Sequence, residues 1–150
     1  MLCDGGQPVA LIVMANEGTP IMLNYVLQRV ANNYTDWLCM LWSNSSLSPS
    51  PTTVYANLTE ATFTGYARRT IDHTKWQAPT IIGSVKAQSL YDTVPLSWTN
   101  TGSIQDVYGY AIITPSAFKI LWSQKLDAPI SIATGGTIQF QPAMELGTEP

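Results

Sequence analysis

The run from Val107 to Ile113, Val-Tyr-Gly-Tyr-Ala-Ile-Ile, constrains this chain more than any other stretch. It carries no charge, is rich in aromatic and β-branched residues, and closes at Thr114-Pro115-Ser116. A strand with one wet face alternates apolar and polar residues, so this run predicts a strand covered on both faces. Gly109, between Tyr108 and Tyr110, predicts a bulge or a place where another ring or backbone packs close. In the next run, Lys119 to Leu126, Ile120, Trp122 and Leu126 share one face. Lys119, Ser123 and Lys125 take the other, with Leu121 the single apolar exception there. The short connection through Pro115 and Ser116 makes the two runs an antiparallel pair.

Other strands extend that pair. Thr35 to Ser43, holding Trp37, Leu38, Cys39, Met40, Leu41 and Trp42, is apolar on both faces and predicts a central partner for Val107 to Ile113. Further strands are expected at Val9 to Met14, Phe63 to Ile71 (with Arg68 and Thr70 on a wetter face), Gly83 to Ser89, and Val94 to Trp98. The last of these turns Val94, Leu96 and Trp98 inward. Ile130 and Ile132 begin another, which Gly135-Gly136 turns into Thr137 to Leu146, where Ile138, Phe140, Met144 and Leu146 share a face. Pro142 removes a ladder donor there and predicts an edge or a bulge. One helix is expected. Thr19 caps it, Pro20 takes its first position, and Leu23, Val26, Leu27 and Val30 form an apolar stripe before Asn32-Asn33.

Turn signals roughly every ten residues give the expected fold: mainly β, a jelly-roll-like two-sheet antiparallel sandwich of about eight strands with one N-terminal helix. Residues 1–8 read as an arm that orders against something else, and residues 9–150 as a single domain. Ser43 to Thr53, with Pro49 and Pro51 among serines, reads as a surface loop of linker composition.

Charge narrows the function. Only 11 % of residues are Asp, Glu, Lys or Arg, against about 25 % in ordinary domains. Ser, Thr, Asn, Gln and Gly replace them, and uncharged polar surface is cheaper to bury against a neighbour. Net charge is -3. There is no Lys/Arg stripe, and Arg68-Arg69 would point to opposite faces of a strand, so no nucleic-acid partner is expected. Val9 to Ala15 is shorter than the roughly 20 apolar residues of a membrane span. No basic residue precedes it, so neither a membrane partner nor a secretory leader is expected. Cys3 and Cys39 allow one bridge that their spacing does little to favour, and Cys39 reads as a small buried hydrophobe.

Catalytic side chains are scarce. His73, flanked by Asp72 and Lys75, is the only histidine. A nucleophile–base pair would need it with Cys39 or a serine, and no serine sits in a Gly-x-Ser-x-Gly turn. His73 reads as a solvated turn residue. Nothing brings carboxylates such as Glu17 and Asp36 together, and no zinc spacing or phosphate loop is present. No catalytic residue, cofactor or metal is expected. The Asn-x-Ser/Thr triplets at Asn33, Asn44 and Asn57 read as chance in a Ser/Thr-rich chain. Trp37, Trp42, Trp98 and Trp122 fall in strands and read as core. Tyr55, Tyr66, Trp76 and Tyr91 lie near strand ends or loops and read as contacts to a ligand or neighbour. Leu2 and Gln7 in the arm, with Pro49 and Pro51 in the loop, join them as partner contacts.

Softer motifs carry a resemblance. Asn16-Glu17-Gly18, Leu58-Thr59-Glu60-Ala61, Gly65-Tyr66-Ala67-Arg68 and Trp76 come in that order, followed by Val107-Tyr108-Gly109-Tyr110, Leu121-Trp122-Ser123 and Gly135-Gly136. In order and approximate spacing, over roughly residues 16–146, the chain resembles small β-rich structural proteins of tailed-bacteriophage virions. The resemblance implies a capsid cement or decoration protein on the particle surface, made in the host cytoplasm. It further implies a homotrimer seated on the major capsid protein or another virion protein. It transfers no site residues. A carbohydrate- or receptor-binding module of a tail or neck fibre is the alternative.

Overall fold

The computed structural model describes residues 13–14, 36–78, 80–82 and 86–147. The helix expected from Thr19 to Asn33 and the arm of residues 1–8 lie outside them. Among the described residues there are ten strands and two 3-10 turns, Tyr55–Asn57 and His73–Lys75. The strands are β1 (Val13–Met14), β2 (Trp37–Trp42), β3 (Arg69–Ile71), β4 (Thr80–Ile82), β5 (Lys86–Leu90), β6 (Leu96–Thr99), β7 (Gln105–Ile113), β8 (Ile120–Ile132), β9 (Thr137–Phe140) and β10 (Ala143–Gly147). Every pairing is antiparallel. They form a five-stranded sheet in the order β1-β8-β7-β2-β3, a three-stranded sheet β10-β5-β4, and a two-stranded sheet β6-β9.

The Val107–Ile113 run lies in β7, between β8 and β2 at the centre of the large sheet, and both its faces are covered. On one face Cys39, Leu41, Ile112, Leu121 and Trp122 pack with Trp98, Ile138 and Tyr91, and Leu96, Phe140 and Met144 close in from the smaller sheets. That is a β sandwich. On the other face Met40, Trp42, Ala111, Ile113 and Ile120 are buried beneath Leu47, Tyr55, Leu58 and Phe118. Among the described residues, loops cover this second face. Each large side chain so buried contributes roughly 1.5–3 kcal/mol.

Two irregularities explain where the sequence pattern broke. Ile113 faces Ile120 while Ile112 faces Trp122, so Leu121 is the extra residue of a bulge. The bulge resets the side-chain alternation: Leu121 joins Trp122 on the first face, while Ile120, expected beside Trp122, falls on the second. Further along, β8 advances from Lys125 to Ile130 while β7 moves only from Gly109 to Val107. The slack around Pro129 keeps the chain in one strand, so Ile130 and Ile132 end β8 and do not begin a new strand. Beyond Ser123 the outer rim of β8 has no strand partner among the described residues, and it carries Lys125, Asp127 and Pro129. Gly109 backs onto the Trp42 ring and Gln124 O, where a Cβ would collide with both.

Other expectations need correction. Phe63 to Ile71 is a strand only over Arg69–Ile71, because residues 64–65 turn. Val94 is 67 % exposed, as the strand begins only at Leu96. Pro142 splits Thr137–Leu146 into β9 and β10, and each half pairs with a different sheet. The Gly135 turn is formed as expected, with φ of 78°.

Candidate interaction surface

The outer edge of β2 is covered in two pieces. β3 pairs along Trp37 to Cys39, and Glu60 bridges Trp42. Between them the chain loops out, which would leave the Leu41 amide unpaired. Tyr66 fills the gap: its hydroxyl accepts the Leu41 N–H at 3.2 Å and donates to Glu60 Oε1 at 2.7 Å. Arg68 then grips the same carboxylate with Nε (2.8 Å to Oε1) and Nη2 (2.6 Å to Oε2). Its Nη2 also donates to the Tyr55 hydroxyl at 2.6 Å. The guanidinium lies 4.5 Å from the centroid of the Phe118 ring, against which Tyr55 stacks at 5.3 Å. Partial burial disfavours a charged Glu60, but the hydrogen bonds from Arg68 and Tyr66 prevail and hold its pKa below the ordinary value. Phe118 accepts a left-handed φ of 48° to present its ring.

This cluster fastens the segment from Ser43 to Thr59 over the second apolar face like a strap. Asn44 pins its two ends, donating to Asn57 O at 3.0 Å and accepting from Thr59 N at 3.1 Å. Thr53 Oγ1 accepts Ser50 N at 2.9 Å, and half-buried Leu47 packs onto the core from above. The linker composition of Ser43 to Thr53 thus conceals a tied-down cover. Its outer surface holds no Asp, Glu, Lys or Arg. Lys119 and Lys125 stand beside it, Lys119 next to Phe118 and Lys125 reaching Ser48 Oγ at 3.3 Å.

The residues expected to contact a partner divide as follows. Leu2 and Gln7 lie outside the described residues. Pro51 is exposed and Pro49 and Tyr55 are half-buried, all on the strap. Tyr66 is half-buried in the β2 plug. Trp76 is half-buried in an aromatic cluster with Trp37, Tyr91 and Trp122, its centroid 5.5–6.5 Å from theirs. Tyr91 is only 3 % exposed, and its hydroxyl accepts the Asp72 N–H at 3.2 Å. It therefore leaves the contact surface and serves, like Tyr66, to close a strand end. Nothing in the sequence flags Arg68, Glu60 and Phe118 as one unit. The Asp72 side chain accepts from Thr74 N at 2.8 Å, capping the turn that holds His73. Lys75 pairs with Asp92 at 3.2 Å. Burial drives the Cys39 thiol pKa far up, leaving no thiolate there. Glu17 lies outside the described residues.

No protein-family model matches this chain, and no curated protein matches it.

Proposed function

We propose that the chain is a non-enzymatic structural component of a tailed-bacteriophage particle. In this reading it is a capsid cement or decoration protein with a jelly-roll-like sandwich, made in the host cytoplasm and carried on the virion surface. It binds across junctions of the major capsid protein, or of another virion protein, as a homo-oligomer, with a trimer favoured. One observation carries the reading: the strap from Ser43 to Thr59 is charge-free on its surface yet held in place by half-buried anchors packed on the core and by the Asn44 hydrogen bonds. A surface both cheap to desolvate and already ordered loses little on docking. Lys119 and Lys125 beside it suit an acidic rim on the partner. Engaging several subunits at once multiplies modest contacts through effective concentration.

The test is co-sedimentation of the purified protein with empty capsids of the phage that carries its gene. Wild type binds, and Pro51→Glu with Ala56→Glu, both at exposed strap positions, abolishes binding while the thermal transition stays cooperative. Absence of wild-type binding overturns the reading. Glycan binding lost in Trp76→Ala would instead support the fibre-module alternative.

A further inference from the structure

Three turns meet at one end of the sandwich: residues 62–65, 99–104 and 133–137. The segments that hold them, 61–67, 93–105 and 128–144, contain no charged residue. Thr101 N donates to Thr64 O at 2.9 Å, Asn100 N to Gly136 O at 2.9 Å, and Gly135 N to Asn100 O at 2.7 Å. Thr134 Oγ1 donates to Gly102 O at 2.6 Å. Beneath them the fully buried Asn100 donates its side-chain amide to Ser103 O and Ile132 O, each at 2.7 Å. The result is a rigid pole of threonine, serine and glycine. Ile104 stands on it 64 % exposed, at the root of the 133–137 turn because its neighbour Gln105 pairs with Ile132. The nearest charges lie in the adjoining strands and outside the pole, Asp106 bonded by the Ser131 hydroxyl and Arg69 bonded to Ser97 O.

We propose that this pole is the self-association surface, through which neighbouring copies of the chain meet. Charge selects the occupant. At a net charge of -3, two copies repel one another overall, and facing charged patches of one sign would deepen that cost. The pole lets identical surfaces approach with no like charges opposed. Several of its turn amides and threonine hydroxyls already bond within the subunit, so part of its polar surface enters an interface paired. Pre-ordered turns add no ordering cost, and Ile104 supplies the apolar centre. The strap suits this role less well, because Lys119 and Lys125 beside it would confront their own counterparts.

The inference deepens the assembly reading and rests on its claim that copies associate, but the two fail separately. Light scattering after size exclusion gives the mass of the full chain, and sedimentation equilibrium gives its dissociation constant. Wild type is an oligomer; Ile104→Asp and, separately, Ser103→Arg raise the dissociation constant at least tenfold with an unchanged thermal transition. A monomeric wild type at 100-fold the concentration of the capsid assay, or an oligomer that neither variant weakens, overturns the pole. A monomer that still binds capsids leaves the capsid reading standing, and an oligomer that ignores capsids does the reverse.

Discussion

The Tyr66 hydroxyl and the Leu41 amide stand 3.2 Å apart, and that contact completes an edge of β2 that the backbone alone leaves open. A phenol thereby takes the place of a ladder carbonyl.

Tyr66→Phe removes that acceptor and strands a buried N–H. It also takes one donor from Glu60. The expected loss is about 1–3 kcal/mol in urea unfolding with an unchanged slope. A loss under about 0.5 kcal/mol would mean that the Leu41 amide finds another partner.

Glu60 gives a pH dependence. Hydrogen bonds lower its pKa in the folded state, so its contribution is present above the unfolded value of about 4.3 and is lost as pH falls through the folded value. The stability gap between wild type and Glu60→Gln should be widest near pH 7 and close progressively below about pH 4. A gap that is constant from pH 7 to pH 3 would show that the carboxylate's charge contributes nothing.

Gly109→Ala and Gly135→Ala separate crowding from backbone strain. A Cβ on Gly109 meets the Trp42 ring and Gln124 O, neither of which can retreat from a packed sheet. The expected cost is about 3 kcal/mol, read from the denaturation midpoint. Gly135 has open space around it, so only its φ of 78° matters and the cost is about 1–2 kcal/mol. The reverse ranking would misplace Trp42.

Cys39 should be silent toward a thiol reagent in the native protein at pH 8 and react fully in denaturant, because burial pushes its pKa up. Rapid native labelling of Cys39, followed by mass mapping, would contradict the core described above.

Much of the architecture was legible because buried strands announce themselves by what they lack. Val107–Ile113 and Trp37–Trp42 have no polar face, and both lie at the heart of the large sheet. Leu121 broke the alternation for a local reason, a bulge, which a period of two cannot encode. The strap was illegible since Leu47, Tyr55 and Leu58 follow no period, and a segment rich in Ser and Pro has the composition of a linker whether or not it is pinned. Tyr91 misled for a related reason. A ring near a loop is assigned to the surface, yet Tyr66 reaches an amide 25 residues away and Tyr91 one 19 residues away. Such pairings depend on how the sheets stack, and no local pattern contains them.

The rim of β8 beyond Ser123 carries a consequence for crowded conditions. A strand that long, if flat and uncharged, would invite a neighbouring molecule to add itself ladder-fashion and grow into fibrous aggregate. Lys125, Asp127, Pro129 and the local distortion spoil that template. Among the described residues this border is therefore a poor template for a neighbouring strand.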